Sequence, residues 1–135
     1  MNVKRYFTAT LAVFVLSQLM DYLIHGVILA PAYEATASLW RPDMNSYMWI
    51  MPVVGAVWSV LFVYIFVKGY QGRGIIEGVR FGVLIGLFVA FPMAYSTYAM
   101  IAMPYSMALQ WFLYTFVECV VLGVVVAALY KPKPV

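Results

Sequence analysis

Three ionisable side chains lie inside long apolar segments that otherwise carry no charge. Asp21 and His25 are four residues apart, so on a helix they would share one face, and Glu118 lies near the middle of a later segment. A carboxylate at the centre of a membrane helix costs about 2.5–3.5 kcal/mol, and such residues are candidates for a functional site. The three residues predict an interior polar pocket for a proton, a cation or a polar headgroup.

Other polar side chains at similar heights are candidate members of this pocket. They are Gln18, Tyr95 and Tyr98. A purely structural role is the alternative interpretation. In that case Asp21 and His25 hydrogen-bond to each other and hold the helices together, while Glu118 is protonated and bonds to a tyrosine or faces a partner subunit.

Chemistry that needs a defined ligand set is not indicated by these residues. One histidine and two carboxylates are enough for a three-ligand metal site, but no second histidine or cysteine pair supports one. A haem in a four-helix protein would normally have paired histidines, and His25 is alone. The single cysteine, Cys119, lies among apolar residues, where a thiol is normally inert. We predict no catalytic residue, metal or cofactor.

The composition requires lipid rather than water around most of the surface. The 135 residues are 66% hydrophobic and 10% charged with a mean hydropathy of +0.94, against about 45–50% and about 25% in soluble domains. Four apolar segments, approximately 6–30, 46–67, 81–103 and 106–130, are long enough to cross a bilayer and lack strand-like alternation. We predict an all-α, integral membrane four-helix bundle with short loops, forming a single domain over 1–135.

The basic residues predict the orientation of the four helices. If the helices alternate in direction, seven basic residues fall on one side and only Arg41 falls on the other. The seven are Lys4, Arg5, Lys68, Arg73, Arg80, Lys131 and Lys133. The positive-inside rule then puts both termini in the cytoplasm. This bias explains the net charge of +3 without nucleic acid, because the basic residues form no cluster on one helix face.

Small residues recur at every fourth position in the third and fourth segments. In the third segment they are Gly78, Gly82, Gly86, Ala90 and Ala94; in the fourth they include Cys119, Gly123 and Ala127. Such stripes allow close backbone contact between membrane helices. We predict a tight antiparallel hairpin of these two segments, and the alternative is that one stripe binds a second copy or a partner.

The order of several short motifs resembles that of small bacterial four-helix inner-membrane proteins of uncharacterised function. The motifs are Asp21 to His25, Leu39-Trp40-Arg41-Pro42, Glu77-Gly78-Val79-Arg80-Phe81-Gly82, and Pro104-Tyr105 before Leu109-Gln110-Trp111. The resemblance implies a multi-pass protein of the bacterial cytoplasmic membrane. It implies no activity and assigns no functional residue.

Two functions from different classes follow from these observations. The first is a non-enzymatic membrane protein that acts by association, either as an accessory or scaffold subunit of a larger membrane complex or as a homo-oligomer, because its loops are too short for a reaction domain. The alternative is a minimal transporter or a ligand- or ion-binding protein whose outward pocket uses Asp21, His25 and Glu118.

Overall fold

The computed structural model of this chain describes residues 1–132, and this part is helical and contains no strand. The predicted domain extends to residue 135, and its residues 133–135, which include Lys133, lie outside the described residues. The α-helices are α1 (Val3–Asp21), α2 (Ala30–Ala35), α3 (Ile50–Gly69), α4 (Ile75–Met100) and α5 (Tyr105–Leu129). A π-helical segment, Tyr22–Ile28, continues α1, and the 3-10 turns Ala37–Leu39 and Met44–Tyr47 connect α2 to α3.

Four helical stretches are long and apolar enough to cross a membrane. They are Val3–Ile28, Met44–Gly69, Ile75–Met100 and Tyr105–Leu129. The prediction of an all-α protein with four long apolar helices is therefore confirmed. The short helix α2 is additional, and it is too short to span a bilayer.

The start of α4 differs from the sequence-based expectation by six residues. The helix begins at Ile75 rather than at 81, directly after Gly74, whose φ of 68° is favourable for glycine. The Glu77 carboxylate accepts hydrogen bonds from the backbone N–H groups of Gln71 and Arg73, at 2.6 and 2.9 Å. These bonds hold the α3–α4 loop against the first turn of α4. Residues 75–80, which include the polar Glu77 and Arg80, are therefore part of the helix.

The glycine stripes of α4 and α5 are used for contact between these two helices. A Cβ atom at Gly82 would lie 2.5 Å from the Cys119 backbone oxygen, and Gly78 and Gly123 approach each other in the same way. Gly86, Ala90 and Ala94 continue the buried stripe on α4. The two helices therefore pack backbone against backbone, and this part of the predicted hairpin agrees with the structure.

The remaining helices are arranged around α5. It packs along α4 on one side and along α1 on the other, and α1 in turn packs along α3. Near the chain termini, α3 and α4 meet through phenylalanine rings, with Phe81 at 4.8 Å from Phe62 and 5.3 Å from Phe66 between centroids. The four long helices therefore close into a bundle at that end.

The two ends of the bundle differ in charge and in aromatic content. The basic end contains the start of α1, the α3–α4 loop and the end of α5. The backbone N–H of Asn2, before α1, donates a hydrogen bond to the hydroxyl of Tyr130, after α5. Its described basic residues are Lys4, Arg5, Lys68, Arg73, Arg80 and Lys131. The opposite end, here the tryptophan end, contains Trp40 and Trp111, whose ring centroids are 6.2 Å apart.

Two separate apolar cores hold the bundle together. The larger core lies in the half nearer the basic end and draws on all four long helices, with Val13, Phe62, Leu122 and Val126 among its buried residues. The smaller core lies at the tryptophan end around Met103 and Met107, where α2 and the start of α5 meet. No residue of α3 contributes to this second core among the residues described.

The contact between α4 and α5 predicts that the same substitution has a large effect at one glycine and little effect at another. Gly82→Ala places a methyl group against the α5 backbone, so we expect a loss of about 1–3 kcal/mol of unfolding free energy. Gly69→Ala is the matched control, because a Cβ atom at Gly69 meets no atom within 4 Å. Reversible unfolding in mixed micelles measures both. Equal losses in the two variants would contradict the close contact.

Candidate functional site

The structure brings Asp21, His25 and Glu118 into one region, here called the polar layer. Asp21 lies within electrostatic range of both His25 and Glu118. The register of α5 explains why Glu118 is present there. Cys119 and Gly123 face α4, so the neighbouring stripe of Glu118, Leu122 and Val126 faces α1.

Asp21 continues the buried stripe of α1 into the polar layer. Tyr6, Ala9, Val13 and Ser17 are the buried residues of this helix, and Asp21 follows Ser17 by one turn. Glu118, on the opposing helix, is only 8% exposed. A half-buried carboxyl group of α1 and a buried one of α5 therefore lie in the same region of the interface between these two helices.

His25 occupies the seven-residue π-helical segment that follows Asp21. In such a segment each hydrogen bond skips one residue more than in an α-helix, so the side chains change direction. The four-residue spacing alone therefore does not determine how His25 lies relative to Asp21. The backbone N–H of Leu29 closes the segment on the Ile24 carbonyl at 2.8 Å.

A chain of hydrogen bonds joins His25 to the tryptophan end. The indole N–H of Trp111 donates to the Tyr33 hydroxyl at 2.8 Å, and the same hydroxyl lies 2.5 Å from His25 Nδ1. Because the Tyr33 oxygen accepts from Trp111, its own proton is available for a neutral His25. A proton on His25 Nδ1 can equally be donated to Tyr33, so the contact accommodates both charge states of the histidine.

Aromatic rings cover the polar layer at the tryptophan end. The Tyr33 centroid lies 5.6 Å from that of Trp40 and 6.4 Å from that of Trp111, and we call these three residues the aromatic cap. Trp40 is fixed by a hydrogen bond from its indole N–H to Thr36 at 3.2 Å. Burial raises the pKa of the Tyr33 phenol above its usual value of 10.0, an effect that outweighs the opposing hydrogen bond from Trp111.

Neither carboxyl group of the polar layer forms a hydrogen bond within residues 1–132. The structure nevertheless leaves no fully enclosed side-chain nitrogen or oxygen unsatisfied in that part of the chain. The oxygens of both carboxyl groups therefore keep some accessible surface. Among the same residues, no three His, Cys, Asp or Glu side chains are arranged to hold a metal ion.

An opening beside the polar layer results from the position of α3. Gln18 of α1 contacts Gly55 of α3, so the residues before Gly55 lie at about the height of Asp21. All residues from 41 to 54 are exposed. The first turns of α3 therefore leave the bundle uncovered at this height, and the polar layer lacks one wall.

The other predicted pocket residues lie elsewhere. Gln18 sits one turn below Asp21 and lies against α3. Tyr95 and Tyr98 contact Tyr105, with ring centroids at 6.3 and 5.7 Å, in a separate aromatic group of α4 and α5. Tyr95 and Tyr98 lie away from the polar layer because α4 packs on α5 and not along α1.

Tyr33 and Trp111 were not predicted as members of the site. Tyr33 contacts His25, and Trp111 donates a hydrogen bond to Tyr33. Tyr33 follows Pro31 in a connecting segment, where an aromatic side chain is expected at the membrane–water interface. Trp111 likewise fits an aromatic belt. A signal was present in the eight-position spacing from His25 to Tyr33, but only the turn into α2 brings the two side chains together.

No family model, curated protein or solved structure matches this chain. We therefore infer its function from its own side chains, contacts and charges.

Replacing the Tyr33 hydroxyl gives a pH-dependent prediction. Tyr33→Phe removes two hydrogen bonds, so we expect about 0.5–1.5 kcal/mol lower stability near neutral pH for each bond lost. The folded phenol has the higher pKa, so the unfolded phenol ionises first, and folding stability falls as pH rises through about 10.

The variant has no phenol at position 33 and is expected to lose less stability than the wild type between about pH 9 and about pH 11. Unfolding in mixed micelles at each pH measures the slope, with the values at about pH 8 as the reference. Parallel slopes for the two proteins would contradict the burial of Tyr33.

Proposed function

We propose that this chain is a multi-pass protein of the bacterial cytoplasmic membrane, with both termini inside. Four apolar helices of sufficient length support insertion. Six described basic residues at one end, against Arg41 at the other, support a cytoplasmic basic end. The resemblance to small four-helix inner-membrane proteins is consistent with the same location.

The proposed orientation predicts which loops are reached from outside the cell. In a Cys119→Ala background, a membrane-impermeant maleimide is expected to label Ser38→Cys in intact cells, because residue 38 lies on the outer side. Gln71→Cys, in the α3–α4 loop, reacts only after lysis; both positions are exposed. Labelling of Gln71→Cys alone in intact cells would reverse the proposed orientation.

We propose that the protein acts by association, without enzymatic activity, as a subunit of a membrane complex or as a homo-oligomer. One observation carries this proposal: the Asp21 and Glu118 carboxyl groups form no hydrogen bond within residues 1–132, and Asp21 lies at about the height of the exposed start of α3. Lipid tails offer a carboxyl group no hydrogen-bond donor. A helix from another subunit, or from a second copy, would supply the missing donor and wall.

A partner helix of defined chemistry fits this opening. Its surface would be apolar where it meets Ile50, Met51, Val53 and Val54, which are all exposed. It would carry an amide, hydroxyl or basic side chain at the height of Asp21. Hydrogen bonds between membrane helices are worth about 0.6–2 kcal/mol each, enough to bias association.

A second function, the binding of a proton, an ion or a small polar ligand, is favoured by a different observation. The Trp111–Tyr33–His25 chain connects the polar layer to the tryptophan end, which is the outer end in the proposed orientation. Such a chain can exchange a proton between His25 and Tyr33. In this case the uncovered wall serves as an entrance, and a transporter would require a dimer or a larger assembly.

The two functions are separated by how the carboxyl groups are replaced. Asp21→Leu and Glu118→Leu remove hydrogen bonding, whereas Asp21→Asn and Glu118→Gln retain it without charge. Association predicts that the leucine variants lose roughly ten-fold in recovered complex. Recovery is measured by the mass of the particle in mild detergent, relative to the 15.2 kDa chain.

Glu34→Gln is the matched control, because Glu34 is an exposed carboxylate near the same end. A wild-type particle that is monomeric, or leucine variants that assemble like the wild type, would contradict association. If the amide variants assemble normally but lose a pH-dependent ion flux in vesicles, the second function is the correct one.

A further inference from the structure

A groove between α3 and α4 opens at the basic end of the bundle. Its volume is about 440 Å³. Its walls are apolar and include Phe66, Phe81 and Leu84, while Arg73 and Arg80 lie at its polar rim. The groove therefore combines a charged mouth with an apolar interior that continues along two candidate membrane spans.

The charges at this mouth are not compensated within the described chain. The single acidic group there is Glu77, and its two oxygens accept backbone hydrogen bonds from Gln71 and Arg73. Among residues 1–132 the one side-chain ion pair joins Arg41 and Asp43 at the opposite end. Two guanidinium groups therefore share the mouth of the groove with one carboxylate, which already accepts two backbone hydrogen bonds.

We propose that this groove binds one anionic phospholipid of the inner leaflet. Its phosphate contacts the guanidinium groups of Arg73 and Arg80, which match the oxygens of a phosphate in shape and charge. One acyl chain lies along Phe81 and Leu84. Basic pockets between membrane helices on the cytoplasmic side suit such headgroups. The proposal rests on the proposed insertion and orientation, and it is independent of the proposed association.

A second groove in the same protein provides an internal comparison. It lies between α1 and α3, measures about 260 Å³, and is lined by Phe7, Phe14 and Val60 among other uncharged residues. It offers an acyl chain the same kind of apolar wall but offers a headgroup no cation. Lipid selectivity by charge is therefore expected from the α3–α4 groove and not from this one.

The proposal is tested with the full chain in nanodiscs that contain phosphatidylcholine and a minor fraction of phosphatidylglycerol. Native mass spectrometry after release counts the lipid that each protein retains. We expect the wild type to retain one phosphatidylglycerol in preference to phosphatidylcholine. Arg73→Gln and Arg80→Gln are each expected to lower this preference by about five-fold, from the contribution of one basic residue near an anionic surface.

Arg5→Gln is the matched control, because it removes one positive charge at the same end but does not line the groove. Leu84→Trp is a second variant that fills the groove without a change in charge, at a side chain that is 67% exposed. It is expected to reduce retained phosphatidylglycerol, while added inorganic phosphate at millimolar concentration does not displace the lipid.

Three results would overturn the proposal. They are equal retention of the two lipids by the wild type, a loss in Arg5→Gln as large as in the two groove variants, and displacement of phosphatidylglycerol by inorganic phosphate. The first would mean that the groove does not select a lipid by charge, and the second would assign the arginines to general surface charge. The third would indicate a site for free phosphate. Maleimide labelling in intact cells, with each variant combined with Ser38→Cys or Gln71→Cys in the Cys119→Ala background, reports separately whether the variant is inserted in the proposed orientation.

Discussion

Close contact between two backbones is the constraint on which the rest of this structure depends. At Gly78, Gly82 and Gly123 no side chain separates α4 from α5, so the two helices approach more closely than larger residues would permit. This contact fixes the rotation of α5. With Cys119 and Gly123 turned to α4, the adjacent stripe that includes Glu118 must face α1. The position of the buried carboxyl group is thus a consequence of glycine packing on the other side of its helix.

The polar layer lies between two apolar cores, and this separation explains its chemistry. The larger core closes the half at the basic end, and the aromatic cap with Met103 and Met107 closes the tryptophan end. At this height, the residues of α3 that precede Gly55 are all exposed. Asp21 and Glu118 therefore lie between packed elements but form no hydrogen bond within residues 1–132, which is the basis for the association proposed here.

Several features of the fold were predictable from local sequence, but which side chains come together at the candidate site was not. Helix length, apolar content and the four-residue stripe from Gly78 are properties of a single segment, so the four long helices and the α4–α5 contact were predicted correctly. The start of α4 was misplaced because the hydrogen bonds from the α3–α4 loop to Glu77 depend on the conformation of that loop. Tyr95 and Tyr98 were assigned by height alone, which does not determine the direction of a side chain around its helix axis.

The sequence by itself determined that the chain forms four long apolar helices with its basic residues at one end, because hydropathy and charge are sums over neighbouring residues. Only the tertiary structure decided which polar groups meet. Tyr33 reaches His25 through the π-helical turn and α2, and Trp111 reaches Tyr33 across 78 positions of sequence. Such contacts depend on the rotation and neighbours of each helix, and these are set by packing between segments rather than by any one of them.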